Sequence, residues 1–130
     1  MDSEDRCPCL SGETYGACCG RFHAGYAAGV WPSTAVALMR SRYSAFAAGA
    51  ADYLLATWHP STRPVELVLD TETVWRRLDI LRIKGGSPFD ERGTVEFAAH
   101  YRHDGERGVQ RESSRFVREG GRWYYLDGEL

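Results

Sequence analysis

The stretch GTVEFAAHYR, residues 93–102, decides the fold class, because its side chains alternate with the two-residue period of a β-strand. The apolar residues Val95 and Phe97 fall on one face of this strand. The charged residues Glu96 and Arg102 fall on the other, which suits a strand with one face in a core and one in water. The sequence therefore predicts a sheet that buries one of its faces.

Three further segments continue this pattern, and they are rich in β-branched and aromatic residues. The connections HDGER at 103–107 and EGGR at 119–122 favour hairpins, because their glycines tolerate the positive φ angles of tight turns. We therefore expect an antiparallel meander, in which the other strands are WRRLDILRI at 75–83, VQRESSRFV at 109–117 and RWYYLDG at 122–128.

The residues that precede the sheet predict helices. From Thr34 to about Ala48, residues recur at three- and four-residue spacing, which indicates an amphipathic helix whose buried face includes Phe46. Gly49 would end this helix, and a second short helix is predicted for ADYLLATW at 51–58. Helices followed by an antiparallel meander make an α+β domain.

Two segments carry weaker signals. Residues 24–33 have no clear period, and we expect them to form a connector. The segment 64–73 is ambiguous, and a short helix or a turn is favoured there.

All four cysteines lie in CPCLSGETYGACCG at 7–20, as two cysteines one residue apart, eight residues, and two adjacent cysteines. Zinc prefers four thiolate or imidazole ligands in a tetrahedron, and a short glycine-rich segment can fold back to supply them. Residues 1–23 are therefore predicted to be a zinc knuckle, and residues 24–130 the main domain. The expected zinc ligands are Cys7, Cys9, Cys18 and Cys19, with His23 as a competitor for the place of Cys19.

Composition narrows the class of protein. The sequence has 130 residues, which is enough for one domain, and a net charge of −2, which disfavours binding to nucleic acid. Its apolar stretches are too short to cross a membrane. No apolar run follows the acidic N-terminus, so we expect no export signal, a cytoplasmic location and reduced thiols.

The cysteine segment resembles the SEC-C motif, the zinc motif at the C-terminus of the SecA translocation ATPase. The resemblance covers residues 7–20 and implies that the four cysteines are the ligands. The motif usually has glycine where this chain has Leu10, so the turn there is expected to be less tight. It is usually rich in lysine at positions occupied here by Glu13 and its neighbours, which disfavours an acidic partner surface.

The rest of the chain resembles the YchJ family of small bacterial proteins. The resemblance is carried by LMRSRYSAF at 38–46, ADYLLATWHPSTRP at 51–64 and ESSRFVREGGRWYYLDG at 112–128. It implies a nuclear transport factor 2-like fold, in which helices pack on a curved antiparallel sheet that forms a cone. No established activity accompanies the family.

A cone of this kind often encloses a cavity, and polar residues of three segments could converge there. Arg42 could bind a carboxylate ligand, and His59 could act as a general base. In the competing interpretation, Arg42 or Arg40 pairs with Glu112 or Asp127, and His59 fixes a loop. The candidate pocket residues are Arg42, His59 and Arg115.

Two functions follow from these features. The first is a non-enzymatic adaptor whose zinc knuckle docks on a protein partner. The alternative is a small-ligand-binding protein or an enzyme that uses the cavity, so the sequence leaves enzymatic activity undecided.

Overall fold

A computed structural model describes all 130 residues of the chain. Three α-helices and a short 3-10 helix precede four strands, which confirms the predicted α+β order. None of the helices has the length and apolar character needed to cross a membrane. The elements are α1 (Cys19–Gly25), the 3-10 helix (Tyr26–Ala28), α2 (Ala35–Ala48), α3 (Ala51–Ala56), β1 (Thr73–Gly85), β2 (Arg92–His103), β3 (Glu106–Glu119) and β4 (Arg122–Glu129).

The four strands form one antiparallel sheet in the order β1-β2-β3-β4, which confirms the predicted meander. Asp104 and Gly105 connect β2 to β3 with φ angles of 50° and 80°. Gly120 and Gly121 connect β3 to β4 with φ angles of 59° and 78°. Two residues in the left-handed region match the right-handed twist of the flanking strands, so both connections are tight hairpin turns.

The register of the sheet shifts at three places. Two shifts lie in the pairing of β1 with β2, between Trp75 and Arg77 and between Ile80 and Arg82. The third lies in the pairing of β3 with β4, beside Phe116. An extra residue in one strand of a pair bends that strand and increases its twist, so the sheet curves.

Helix α2 begins and ends where the sequence predicts. The Thr34 side chain accepts a hydrogen bond of 3.1 Å from the Ala37 backbone N–H, and Gly49 ends the helix with a φ of 75°. The helix packs on β1, β2 and β4 with one side and on α1 with another. Residues around most of its circumference are therefore buried, but Phe46, predicted to lie on the buried face, is 37% exposed.

Two local predictions were wrong. The end of the predicted zinc knuckle and part of the predicted connector form α1 and the 3-10 helix, because α1 packs on α2 and gains an environment that periodicity alone does not show. Helix α3 ends at Ala56 rather than Trp58, since Trp58 pairs with Tyr125 of β4 as an isolated bridge. Residues 64–73, for which the sequence favours a helix or a turn, contain no helix, and residues 71–72 form a turn, in agreement with the second alternative.

The main core lies between α2, α3 and the sheet. Leu38 and Leu54 come from the helices, and Val95, Phe116 and Trp123 come from the strands; each of the five is at most 1% exposed. The Trp123 indole N–H donates a hydrogen bond of 3.1 Å to the Ser33 carbonyl oxygen. This contact joins β4 to the segment that leads into α2.

Candidate metal centre and cavity

The four cysteine thiols meet in one cluster. Their Sγ atoms all lie within 4.8 Å of one another. The Cys9 and Cys18 Sγ atoms are 3.6 Å apart, and those of Cys18 and Cys19 are 3.9 Å apart. The cluster therefore contains the four ligand atoms that a closed metal site needs.

The local backbone folds so that both cysteine pairs face inwards. The Cys7 backbone N–H donates a hydrogen bond of 3.0 Å to the Glu13 carbonyl oxygen, which closes the loop between the pairs. Gly20 follows the second pair, and a Cβ atom there would lie 2.6 Å from the Tyr15 carbonyl oxygen. Leu10 has a φ of 61°, the left-handed conformation that favours glycine.

The cluster fits a zinc ion. A tetrahedron with zinc–sulfur bonds of about 2.3 Å places its sulfur atoms about 3.8 Å apart. Two of the separations in the cluster, 3.6 and 3.9 Å, lie on either side of that value. Cys7, Cys9 and Cys19 are almost fully buried, so bulk water does not compete for these ligand positions.

The neighbouring thiols change one another's acidity. Hydrogen bonds, above all from Cys19, lower the pKa of Cys9 to about 4 against the opposing effect of burial. Donation to Cys9, together with burial, raises the pKa of Cys19. Burial raises the pKa of Cys18. Cys9 is therefore the thiol that most readily becomes a thiolate, which is the form that binds a metal ion.

His23, the predicted competitor of Cys19, lies outside the cluster. Its ring nitrogens bond to Tyr15 and to the Ser41 carbonyl oxygen instead. Burial lowers the pKa of His23, so the ring is neutral at pH 7. The structure therefore brings Cys19 and not His23 to the other three thiols.

A side-chain contact joins the metal centre to the helical layer. The Cys7 Sγ lies 3.7 Å from the hydroxyl oxygen of Ser44 on α2, and both residues are fully buried. Groups that hydrogen-bond to a metal ligand orient it and tune its affinity. The cysteine segment therefore packs on the main domain through one of its own cysteines.

A second feature is a cavity of about 240 Å³ between α2, the end of α3 and the sheet. Most of its wall is apolar and aromatic. The polar residues of the wall come from α2 and β3. The residues that define this cavity include Met39, Arg42, Tyr43, Trp58, Gln110, Glu112 and Tyr125.

Arg42 carries a cation into the wall of this cavity, although it is only 4% exposed. Its Nη1 group donates to the Leu54 carbonyl oxygen at 2.8 Å and to the Thr57 hydroxyl at 2.7 Å. The guanidinium also lies over the rings of Trp58 and Tyr125, at 5.1 and 4.6 Å from their centroids. Burial lowers the pKa of Arg42 to about 10.

The predicted pairing of Arg42 or Arg40 with Glu112 or Asp127 is wrong. Arg42 forms no ion pair, because backbone and hydroxyl oxygens and aromatic faces surround its guanidinium. Asp127 pairs with Arg115 instead. Glu112 accepts a hydrogen bond of 2.5 Å from the Ser114 hydroxyl.

The structure does not bring the three predicted pocket residues together. Arg42 lines the cavity, but His59 and Arg115 lie outside it. His59 bonds to Ser61 at 2.7 Å and to Glu119 at 2.9 Å, so it fixes its loop to the end of β3. The Arg115 side chain is 58% exposed on the other face of the sheet, where it pairs with Asp127.

The sequence contained a signal that would have separated these residues. Side chains of β3 alternate, so the buried Ser114 and Phe116 require Arg115 to point outwards and Glu112 to point inwards. On α2, helical spacing likewise places Arg42 beside Met39 and Phe46 along the cavity.

Comparisons with known families match both the cysteine segment and the main domain. Residues 34–128 match the family described as YchJ, middle NTF2-like domain, and residues 5–21 match the SEC-C motif. A UPF0225 protein of Corynebacterium efficiens is 52% identical over 129 residues, which are 99% of this chain and 96% of that protein. Another, of Streptomyces coelicolor, is 54% identical over 124 residues, covering 95% and 94% of the two chains.

Solved structures confirm the fold. The solution structure of a SEC-C motif containing protein from Rhodopseudomonas palustris has a TM-score of 0.79 and 34% identity, and the match covers 95% of this chain and 97% of that one. The crystal structure of a SEC-C motif containing protein from Psychrobacter arcticus has a TM-score of 0.80 and 27% identity, with coverage of 96% and 82%.

Proposed function

Because this chain belongs to the family of the YchJ middle NTF2-like domain and carries a SEC-C motif before that domain, we propose that it is a zinc-binding, non-enzymatic adaptor. The observation that supports zinc is the mutual spacing of four thiols within 4.8 Å. Four protein ligands fill a tetrahedral site and leave no position for a substrate or an activated water molecule. Zinc therefore has a structural role here.

The zinc ion supplies folding free energy to the cysteine segment. Few large apolar side chains are available there, and the segment's own cluster consists of three buried cysteines with Tyr15 and Cys18 packed against them. A segment of this size folds only when a metal or a disulfide closes it. All four cysteines are free thiols, which suits a protein of the reducing cytoplasm.

The outer surface of the segment is the docking surface in this proposal. The large apolar side chain of Leu10 is 49% exposed there. Glu4, Asp5 and Glu13 are exposed in the same segment and give it acidic character. A protein partner with an apolar contact and basic side chains would complement it.

Zinc content tests the first half of the proposal. We expect about one zinc ion per chain in the purified protein by elemental analysis, and less than one in Cys18→Ser. Chelation should expose the amides of residues 3–20 to hydrogen exchange while the amides of β2 and β3 stay protected. If the protein is expressed in zinc-containing medium and contains no bound metal after purification, that result would contradict a zinc site.

Affinity capture from a lysate tests the docking role, with a variant that keeps the metal. Leu10→Asp removes the exposed apolar group, and aspartate tolerates the left-handed backbone. Phe89→Asp is the matched control, because Phe89 is 90% exposed outside the cysteine segment. Partners should be retained by wild type and Phe89→Asp and lost by Leu10→Asp and Cys18→Ser. Equal capture by all four proteins would exclude docking through this surface.

A further inference from the structure

The cavity wall holds two side chains of opposite charge, the buried Arg42 and the part-buried Glu112, that form no ion pair with each other. Arg42 enters the wall from α2 and Glu112 enters it from β3. The Tyr125 ring faces the guanidinium at 4.6 Å, and its hydroxyl donates to the Glu112 carboxylate at 3.4 Å. Tyr125 thus contacts both charges, and neither charge forms an ion pair within the protein.

Arg42 keeps one edge of its guanidinium free. Both of its hydrogen bonds come from Nη1, so the N–H groups on Nε and Nη2 donate to no protein acceptor. This is the edge that binds a carboxylate bidentately, and Arg115 uses it for Asp127 on the outer face of the sheet. Arg42 therefore has a free edge with the geometry that binds a carboxylate, and no carboxylate of the protein occupies it.

Other hydrogen-bonding groups of the cavity wall also lack partners. The Tyr43 hydroxyl and the Trp58 indole N–H are buried and form no hydrogen bond. Leaving a buried donor unpaired costs about 1–3 kcal/mol, so native proteins rarely leave two such donors together. Both donors belong to residues of the same cavity wall as Arg42.

We propose that this cavity binds a small zwitterion with an apolar body, whose carboxylate is held by Arg42 and whose ammonium group is held by Glu112. A ligand with both charges compensates both side chains, whereas a ligand with one charge leaves the other side chain uncompensated in a poorly hydrated site. The apolar wall, with Trp58, Trp75 and Phe97, accommodates an aliphatic or aromatic body. The volume of about 240 Å³ is below that of pockets for drug-sized molecules, which limits the ligand to the size of an amino acid.

Three probes of nearly equal size separate the contributions of the two charges. L-phenylalanine carries both charged groups, hydrocinnamate carries only the carboxylate, and phenethylamine carries only the ammonium group. We would titrate each probe into the full-length protein by calorimetry and follow the tryptophan fluorescence, to which Trp58 and Trp75 of the cavity wall contribute. L-phenylalanine should bind about tenfold more tightly than either of the other probes, since each loses one charged hydrogen-bonding group.

Variants of the cavity residues test which side chain binds each charged group of the ligand. Arg42→Met should weaken binding of L-phenylalanine by about tenfold or more, while Arg115→Met, its matched control, should leave binding unchanged. Glu112→Gln should reduce the preference for L-phenylalanine over hydrocinnamate. Ala99→Leu keeps every charged group and fills the cavity, so it should abolish binding of all probes even if Arg42→Met fails to fold.

Three outcomes would overturn the proposal. The first is no binding of L-phenylalanine at millimolar concentration, and the second is binding that Ala99→Leu does not affect. The third is equal affinity for L-phenylalanine and phenethylamine, which would mean that Arg42 holds no carboxylate. Because no probe contacts the cysteine segment, each of these results is independent of the zinc and docking experiments.

Discussion

The Nε2 atom of His23 lies 2.8 Å from the Ser41 carbonyl oxygen, and this contact joins α1 to α2. A carbonyl only accepts, so Nε2 carries the proton, and Nδ1 accepts from the Tyr15 hydroxyl at 2.5 Å. The ring also packs against Tyr53, with 4.6 Å between centroids. His23 therefore connects the cysteine segment to α2 and α3, and no ring nitrogen remains for a metal ion.

His23→Ala should destabilise the protein without removing zinc. Loss of two hydrogen bonds and of the ring contact lowers the free energy of unfolding by about 2 kcal/mol. Urea denaturation measures this change, and elemental analysis should still find the wild-type zinc content. His103→Ala, with a side chain 43% exposed, is the control and should change stability little. Loss of zinc from His23→Ala would instead make His23 a ligand.

Ser44→Ala should weaken zinc binding. The Ser44 hydroxyl lies 3.7 Å from the Cys7 Sγ, and loss of a group that contacts a metal ligand weakens metal binding, so its removal should lower zinc affinity by about tenfold. Competition with a chromophoric chelator measures the affinity. Ser114→Ala serves as the control, since that hydroxyl bonds to Glu112 in the cavity. An unchanged affinity in Ser44→Ala would show that the contact does not tune the ligand.

Substitutions at Leu10 and Gly12 should have opposite effects. Leu10 has a φ of 61°, and a non-glycine residue in this region costs about 1 kcal/mol, so Leu10→Gly should stabilise the zinc-loaded protein by up to about that amount. Gly12 has a φ of 92° and no atom within 4 Å of an added Cβ, so Gly12→Ala should destabilise through backbone strain alone. Chemical denaturation with zinc present measures both. Effects of the same sign would refute this explanation.

The stability of the protein should fall in alkali partly because of Tyr125. Burial raises the pKa of Tyr125 to about 12, assisted by Glu112 and Asp127 and opposed by Arg42. A raised pKa means that the folded state favours the neutral phenol. The resulting stability is complete below the ordinary pKa of about 10 and is lost as the pH rises through 12.

Tyr125→Phe cannot ionise at this position, so it should lose less stability than wild type between pH 10 and pH 12. Urea denaturation at pH 8 and at pH 11 gives the comparison, and tyrosinate absorbance reports the ionisation itself. Tyr124→Phe, which removes the hydroxyl of the neighbouring tyrosine, is the control. If wild type and Tyr125→Phe lose the same stability between pH 8 and pH 11, other ionisable groups cause the loss.

Elements with strong local signals agreed with the sequence. Thr34 and Gly49 delimit α2, because a hydroxyl cap and a left-handed glycine act on the backbone within one turn of the helix. The hairpins at Asp104–Gly105 and Gly120–Gly121 formed as predicted for the same local reason. By contrast, α1 is short, has no side-chain cap, and depends on its packing against α2.

The partners of the predicted pocket residues required more than local signals. His59 and Arg115 have the chemistry of functional residues, but each found a carboxylate partner outside the cavity, Glu119 and Asp127 respectively. The two members of each pair lie on different elements or strands. Their separation in the sequence therefore does not predict that they contact each other. Arg42 became the buried cation because the sheet and α1 cover its helix from different sides.

The sequence by itself determined the cysteine spacing, the cap and end of α2, the hairpin turns and the alternation of the strands. Each depends on interactions within a few residues, where backbone sterics and hydrogen bonding leave few choices. Only the tertiary structure decided that Arg42 and Glu112 share a cavity and that His23 bonds to Ser41 instead of joining the thiols. Those outcomes depend on which groups lose water when separate layers pack, and burial of that kind is a property of the whole fold.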